Sequence, residues 1–214
     1  MRQILAQLSY HFKIEYRSWP QIAALVLFMW CVAYIIYRIK PEMTTSEFNF
    51  IYWVILMLTA VSVSIRSTAH TNKNERLLIY TIVSPSTALL GLIFFNALYM
   101  LIVGLAFYGM MIVLFYPDIS WSLSYAVLLI TGTVSIGVIL SFVSAVSRYI
   151  EGQHTALSIL SIPLLIPTIM LAHSLGEQML EDTQPVANDY VIIGALSMIS
   201  AGLALILFPY LWRE

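Results

Sequence analysis

The chain has 214 residues, 60% of them hydrophobic and 10% charged, with a formal net charge of −1. An ordinary soluble domain carries about 25% charged residues, so this chain has too few to coat a water-facing surface, and its solvent is expected to be largely lipid. Near-neutral charge argues against a nucleic-acid partner. The single cysteine, Cys31, excludes an internal disulfide and a CxxC redox pair.

The first stretch, MRQILAQLSYHFKIEYRS (1–18), is too polar to span. At helical spacing Ile4, Leu5, Leu8, Phe12 and Tyr16 share one side, while Arg2, Lys13 and Arg17 share the other, against which Ile14 and Glu15 are violations. It reads as a helix lying in the membrane interface, with packing on another subunit as the alternative. The apolar run from Gln21 is long enough to span, so it reads as a retained transmembrane helix rather than a cleaved signal.

A spanning helix needs roughly 20 apolar residues. Uncharged stretches place six spans at about 19–38, 48–65, 86–116, 119–147, 155–176 and 190–212, with a cytoplasmic segment at 66–85 and an outer loop at 177–189. In the cytoplasmic segment, ERLLIYTIVSP (75–85) reads as a short helix that Asn72 or Asn74 could cap; it stops before Pro85 because proline restricts its predecessor. Small residues recur in span four, TGTVSIGVILSFVSAVS, and let another helix approach closely. That helix belongs either to the same bundle or to a second copy. In span five, Pro163 and Pro167 lie one turn apart. Each removes a backbone donor, freeing the carbonyls of Ile159 and Pro163 itself. A static kink and a hinge are both open.

With the N-terminus in the cytoplasm, inside segments hold Arg2, Lys13, Arg17, Arg66, Lys73, Arg76, Arg148 and Arg213, while outside segments hold only Arg38 and Lys40. This positive-inside bias predicts that both termini are cytoplasmic. The fold expected is therefore an all-α polytopic membrane protein: six transmembrane helices forming one permease domain (1–214) with an N-terminal interfacial helix.

Intramembrane ionisable groups are costly and are kept for use, and the interiors of these spans have none. HExxH, GxSxG and the P-loop pattern GxxxxGK[ST] are all absent. No catalytic residue, resident cofactor or metal site is expected, and any ATP site must sit on a partner. His11, His70 and His154 lie at the cytoplasmic edge without clustered ligands. His173, near the outer face and close to Glu177, is the one candidate haem ligand, although a lone histidine is more often solvated or capping.

The block ERLLIYTIVSP (75–85), the joint FVSAVSRYIEGQHTAL (142–157) and the proline-containing LSILSIPLLIPTIMLA (157–172) resemble the cytochrome c maturation protein B (CcmB) family, the permease subunit of a haem exporter ABC transporter. The resemblance covers nearly the whole chain. It departs at TNKNER (71–76), where many members have a glycine-containing turn. The resemblance implies an ABC-2 type permease-like bundle in a bacterial inner membrane. It implies a non-catalytic subunit, paired as a homodimer with a CcmA-like ATPase that binds ATP, a CcmC-like haem-handling protein and a CcmD-like accessory helix. Haem would be handled by the complex. Glu75, Arg76, Leu77, Tyr80, Ile82 and Pro85 would form the ATPase-coupling segment. An ABC-2 type permease for another substrate, a lipid, drug or polysaccharide, is the alternative.

Overall fold

The computed structural model describes residues 19–69, 85–115, 123–147, 153–180 and 191–202, without 196 and 201. Five long helices are present among them: α1 (Trp19–Ile39), α2 (Thr45–Ala69), α3 (Pro85–Phe115), α4 (Leu123–Ser147) and α5 (Gln153–Leu180). No described residue is in a strand. Among the described residues, four stretches are long and apolar enough to cross a membrane: Thr45–Ser62, Leu89–Phe115, Ser124–Ser147 and Thr155–Met179. Two more apolar helices, Ala23–Ile39 and Val191–Ser200, are shorter. Helices suit this composition because each satisfies its own backbone hydrogen bonds where no water is available.

The helix ends follow local chemistry. Helix α1 stops at Ile39, just before Lys40 and Pro41, because proline disfavours helical geometry in the residue before it. Helix α2 opens on a capping box: the Glu47 N–H donates to Thr44 Oγ1 at 3.4 Å, and the Thr44 N–H donates to Glu47 Oε2 at 3.1 Å. Pro85 is the first residue of α3, where its missing N–H costs nothing. Two expected connections are therefore shorter than the charge pattern implied. Residues 66–69 still belong to α2, Pro85 already belongs to α3, and α5 runs on to Leu180.

The most extensive pairings are α3 with α4, α2 with α5, and α4 with α5. Small residues make the closest of these approaches possible. A Cβ at Gly137 of α4 would stand 2.6 Å from the Asn96 carbonyl oxygen and 2.7 Å from Ala97 Cα, both on α3. One at Gly132 would stand 2.4 Å from the Trp53 ring on α2. Beside Gly137, the Asn96 amide donates to Ser141 Oγ at 3.0 Å. The small face of α4 is thus spent inside the bundle, which settles the choice the sequence left open. Phe48, Tyr52, Trp53, Phe107, Leu128 and Ile136 fill the core between these helices. Large apolar side chains also face outward, among them Phe94, Leu98, Ile102 and Val113 on α3, as expected of a surface whose solvent is lipid.

Candidate functional site at one end of the bundle

Ring contacts bring five helix ends together. Tyr37 of α1 meets Phe115 of α3 edge-on at 5.6 Å, Phe48 of α2 meets Tyr108 of α3 at 6.1 Å, and Tyr108 lies 5.7 Å from Tyr125 of α4. The C-terminal turns of α5 reach the same end, because Ser46 of α2 donates to the Glu177 carboxylate.

Asn49 sits at the centre of this end and is fully buried. A buried amide needs partners for two donors and two acceptor positions, and Asn49 has all four. Its Oδ1 accepts from Trp53 Nε1 at 2.9 Å and from the Tyr125 hydroxyl at 3.1 Å. Its Nδ2 lies 2.9 Å from the His173 carbonyl oxygen, to which it donates, and 3.1 Å from His173 Nδ1. One side chain of α2 therefore ties α4 and α5 to itself. The close approach depends on Gly176, where a Cβ would stand 2.4 Å from Asn49 Nδ2. Nearby, the Tyr52 hydroxyl donates to the Gly104 carbonyl at 3.2 Å and links α2 to α3.

His173 is half-buried on α5. Its Nε2 lies 3.6 Å from Glu177 Oε1, and its ring meets Phe50 edge-on at 5.3 Å. It lines an open groove of about 510 Å³ with Ile36, Ile39, Met43, Phe50 and Ile51 as apolar wall and Lys40, Ser46 and Glu47 as polar rim. Lys40 and Glu47 form an ion pair across that rim.

Among the described residues, no three of His, Cys, Asp and Glu gather where a metal ion would fit. With Asn49 on one ring nitrogen and Glu177 facing the other, the geometry around His173 is that of a tie between helices. Glu75, Arg76, Leu77, Tyr80 and Ile82 lie outside the described residues, as do the expected interfacial helix, residues 181–190 and most of the last span. Of the expected coupling segment only its two ends are described, in α2 and at Pro85. Pro163 and Pro167 lie on the exposed side of α5, and the helix continues through both. Of the nearby hydroxyls, Ser161 donates to the Ser158 carbonyl at 3.2 Å, and the buried Thr168 hydroxyl has no partner among the described residues.

Sequence reasoning singled out His173 and Glu177 but missed Asn49, Trp53, Tyr125, Ser46 and Gly176. Only the Thr44–Glu47 capping pattern offered a local signal there, marking the start of α2 one turn before Asn49.

No curated protein and no solved structure matches the chain. The family model described as CcmB protein does match, over residues 2–210, essentially the entire length. With that coverage, the chain belongs to the CcmB family.

Proposed function

We propose that this protein couples ATP hydrolysis on a partner subunit to release of a haem-loaded chaperone on the outer side of the bacterial inner membrane. Membership of the CcmB family supports a membrane permease subunit of the haem-export ABC system, and that match over residues 2–210 is the observation that carries the reading. The four span-capable helices are in keeping with it. So is the lack of a P-loop, which leaves the ATP site to a CcmA-like partner.

The remaining parts follow by extension. Six spans with both termini inside put residues 66–85 at the cytoplasmic face and the Asn49 cluster at the outer end. Helices α2 and α3 flank the coupling segment, and both reach that cluster, α2 through Asn49 and α3 through Gly104 and Tyr108. A displacement of the segment by the ATPase would reach the outer end along two stiff helices. Glu75, Arg76, Leu77, Tyr80, Ile82 and Pro85 are the residues assigned to that docking. A CcmC-like protein, a CcmD-like helix and a second copy of this chain complete the complex. Haem is cargo of the complex.

Two measurements test the reading. Cysteines at Tyr80 or Ile82, placed in a Cys31→Ser background, should crosslink to a co-purified ATPase; failure of both removes the docking assignment. Deletion of the gene should abolish covalent c-type haem. Unchanged c-type haem would point instead to a permease for a lipid, drug or polysaccharide.

A further inference from the structure

We infer that His173 is a proton-operated latch between α2 and α5 at the outer end of the bundle. The inference rests on the hydrogen-bond inventory of Asn49 and not on what the protein transports.

The amide of Asn49 cannot be turned over. Trp53 Nε1 is a donor only, and it points at Oδ1, as does the Tyr125 hydroxyl. The NH2 side must then face His173, where it donates to the carbonyl oxygen and to Nδ1. An imidazole nitrogen that accepts a hydrogen bond carries no proton, which fixes the tautomer of the ring. Neutral His173 has its proton on Nε2, on the side of Glu177.

A second proton has one place to go, and that place faces a donor. Taken from outside water through the groove that His173 lines, it would put an N–H on Nδ1 against the Asn49 NH2. The cationic ring must turn off Asn49, and the charge nearest to it is Glu177 on its own helix. Drawing Glu177 toward the ring takes its Oε1 from Ser46. Two side-chain hydrogen bonds between the ends of α2 and α5 are then lost: Asn49 to His173 Nδ1 and Ser46 to Glu177. The bond from Asn49 to the His173 carbonyl is kept.

Among the described residues, the other charged and titratable groups around the ring are few. Lys40 and Glu47, paired with each other, share the groove from the α1–α2 side; Tyr125 of α4 and Tyr108 of α3 stand behind Asn49. The ring and the Glu177 carboxylate are the pair that face each other directly.

Spin labels on cysteines at Thr45 and Ser174 report the separation of the two helix ends, in full-length Cys31→Ser protein in lipid nanodiscs. Dipolar broadening should be strong at alkaline pH and fall on acidification. In the His173→Gln variant the broadening should not depend on pH. Unchanged broadening with His173 present, or the same loss in the variant, overturns the latch. Nitrogen NMR of histidine-labelled protein is a separate readout that needs no destabilising change. His173 should show a single neutral tautomer protonated at Nε2. A ring protonated at Nδ1, or one averaging between tautomers, refutes the assignment.

Discussion

A methyl group is enough to test the close approach of α2 and α5. A Cβ at Gly176 would stand 2.4 Å from Asn49 Nδ2 and 2.7 Å from Asn49 Cγ, and the amide has no room to yield because all four of its hydrogen bonds are made. Overpacking of this kind costs about 1–3 kcal/mol, so Gly176→Ala should lower the melting temperature in detergent. Gly109 on α3 is the internal control. Nothing lies within 4 Å of its added Cβ, and alanine is the better helix former by about 1 kcal/mol. Gly109→Ala should therefore melt no lower than the parent; equal losses at both positions would remove the steric argument. None of this was legible locally. Asn49 and His173 are 124 residues apart, and a lone asparagine in an apolar run carries no sign of its partners. His173 and Glu177 were visible because a titratable pair one helical turn apart stands out in a chain with few charges.

Element by element, the apolar runs were easier to read than their pairing. The uncharged stretch from Leu77 to Pro117 had to be divided, and Pro85 marks the start of α3 because proline is tolerated in a first turn. Hydropathy cannot say which faces meet, since outward and inward residues are both apolar here. Only the small residues of α4 indicated a close neighbour, and they could not say whether it was α3 or another copy. The prolines of α5 show a related limit. Proline in a helix interior costs about 3 kcal/mol, the sequence left a static kink and a hinge open, and α5 continues through both prolines. Their rings lie on the side of α5 that is exposed among the described residues. Pro163→Ala with Pro167→Ala should restore donors to the Ile159 and Pro163 carbonyls and leave membrane insertion and yield intact. If the bend transmits motion to the outer end, ATP-driven release of the haem-loaded chaperone by the reconstituted complex should fall. Unchanged release would reduce the pair to a fixed feature of helix shape.

At the scale of the whole molecule, direction across the membrane decides what the Asn49 cluster can sense. The bundle joins the end of α1, the start of α2 and the end of α5 at one face, through the Tyr37–Phe115 contact and the Ser46–Glu177 bond. Helix α2 has 25 residues, about 37 Å at the usual rise, against a hydrocarbon core of about 30 Å. It is long enough to carry Thr45 and Ala69 to opposite sides. The direction is a matter of the sequence: the segments expected inside hold eight Arg and Lys, and those expected outside hold only Arg38 and Lys40. By the positive-inside rule that bias predicts an outer position for the cluster. In a Cys31→Ser background, a membrane-impermeant maleimide should label cysteine at Glu42 in intact spheroplasts. It should label cysteine at Lys73 only after permeabilisation. The reverse pattern would put the His173 groove in the cytoplasm, and residues 66–85 would then be out of reach of any ATPase.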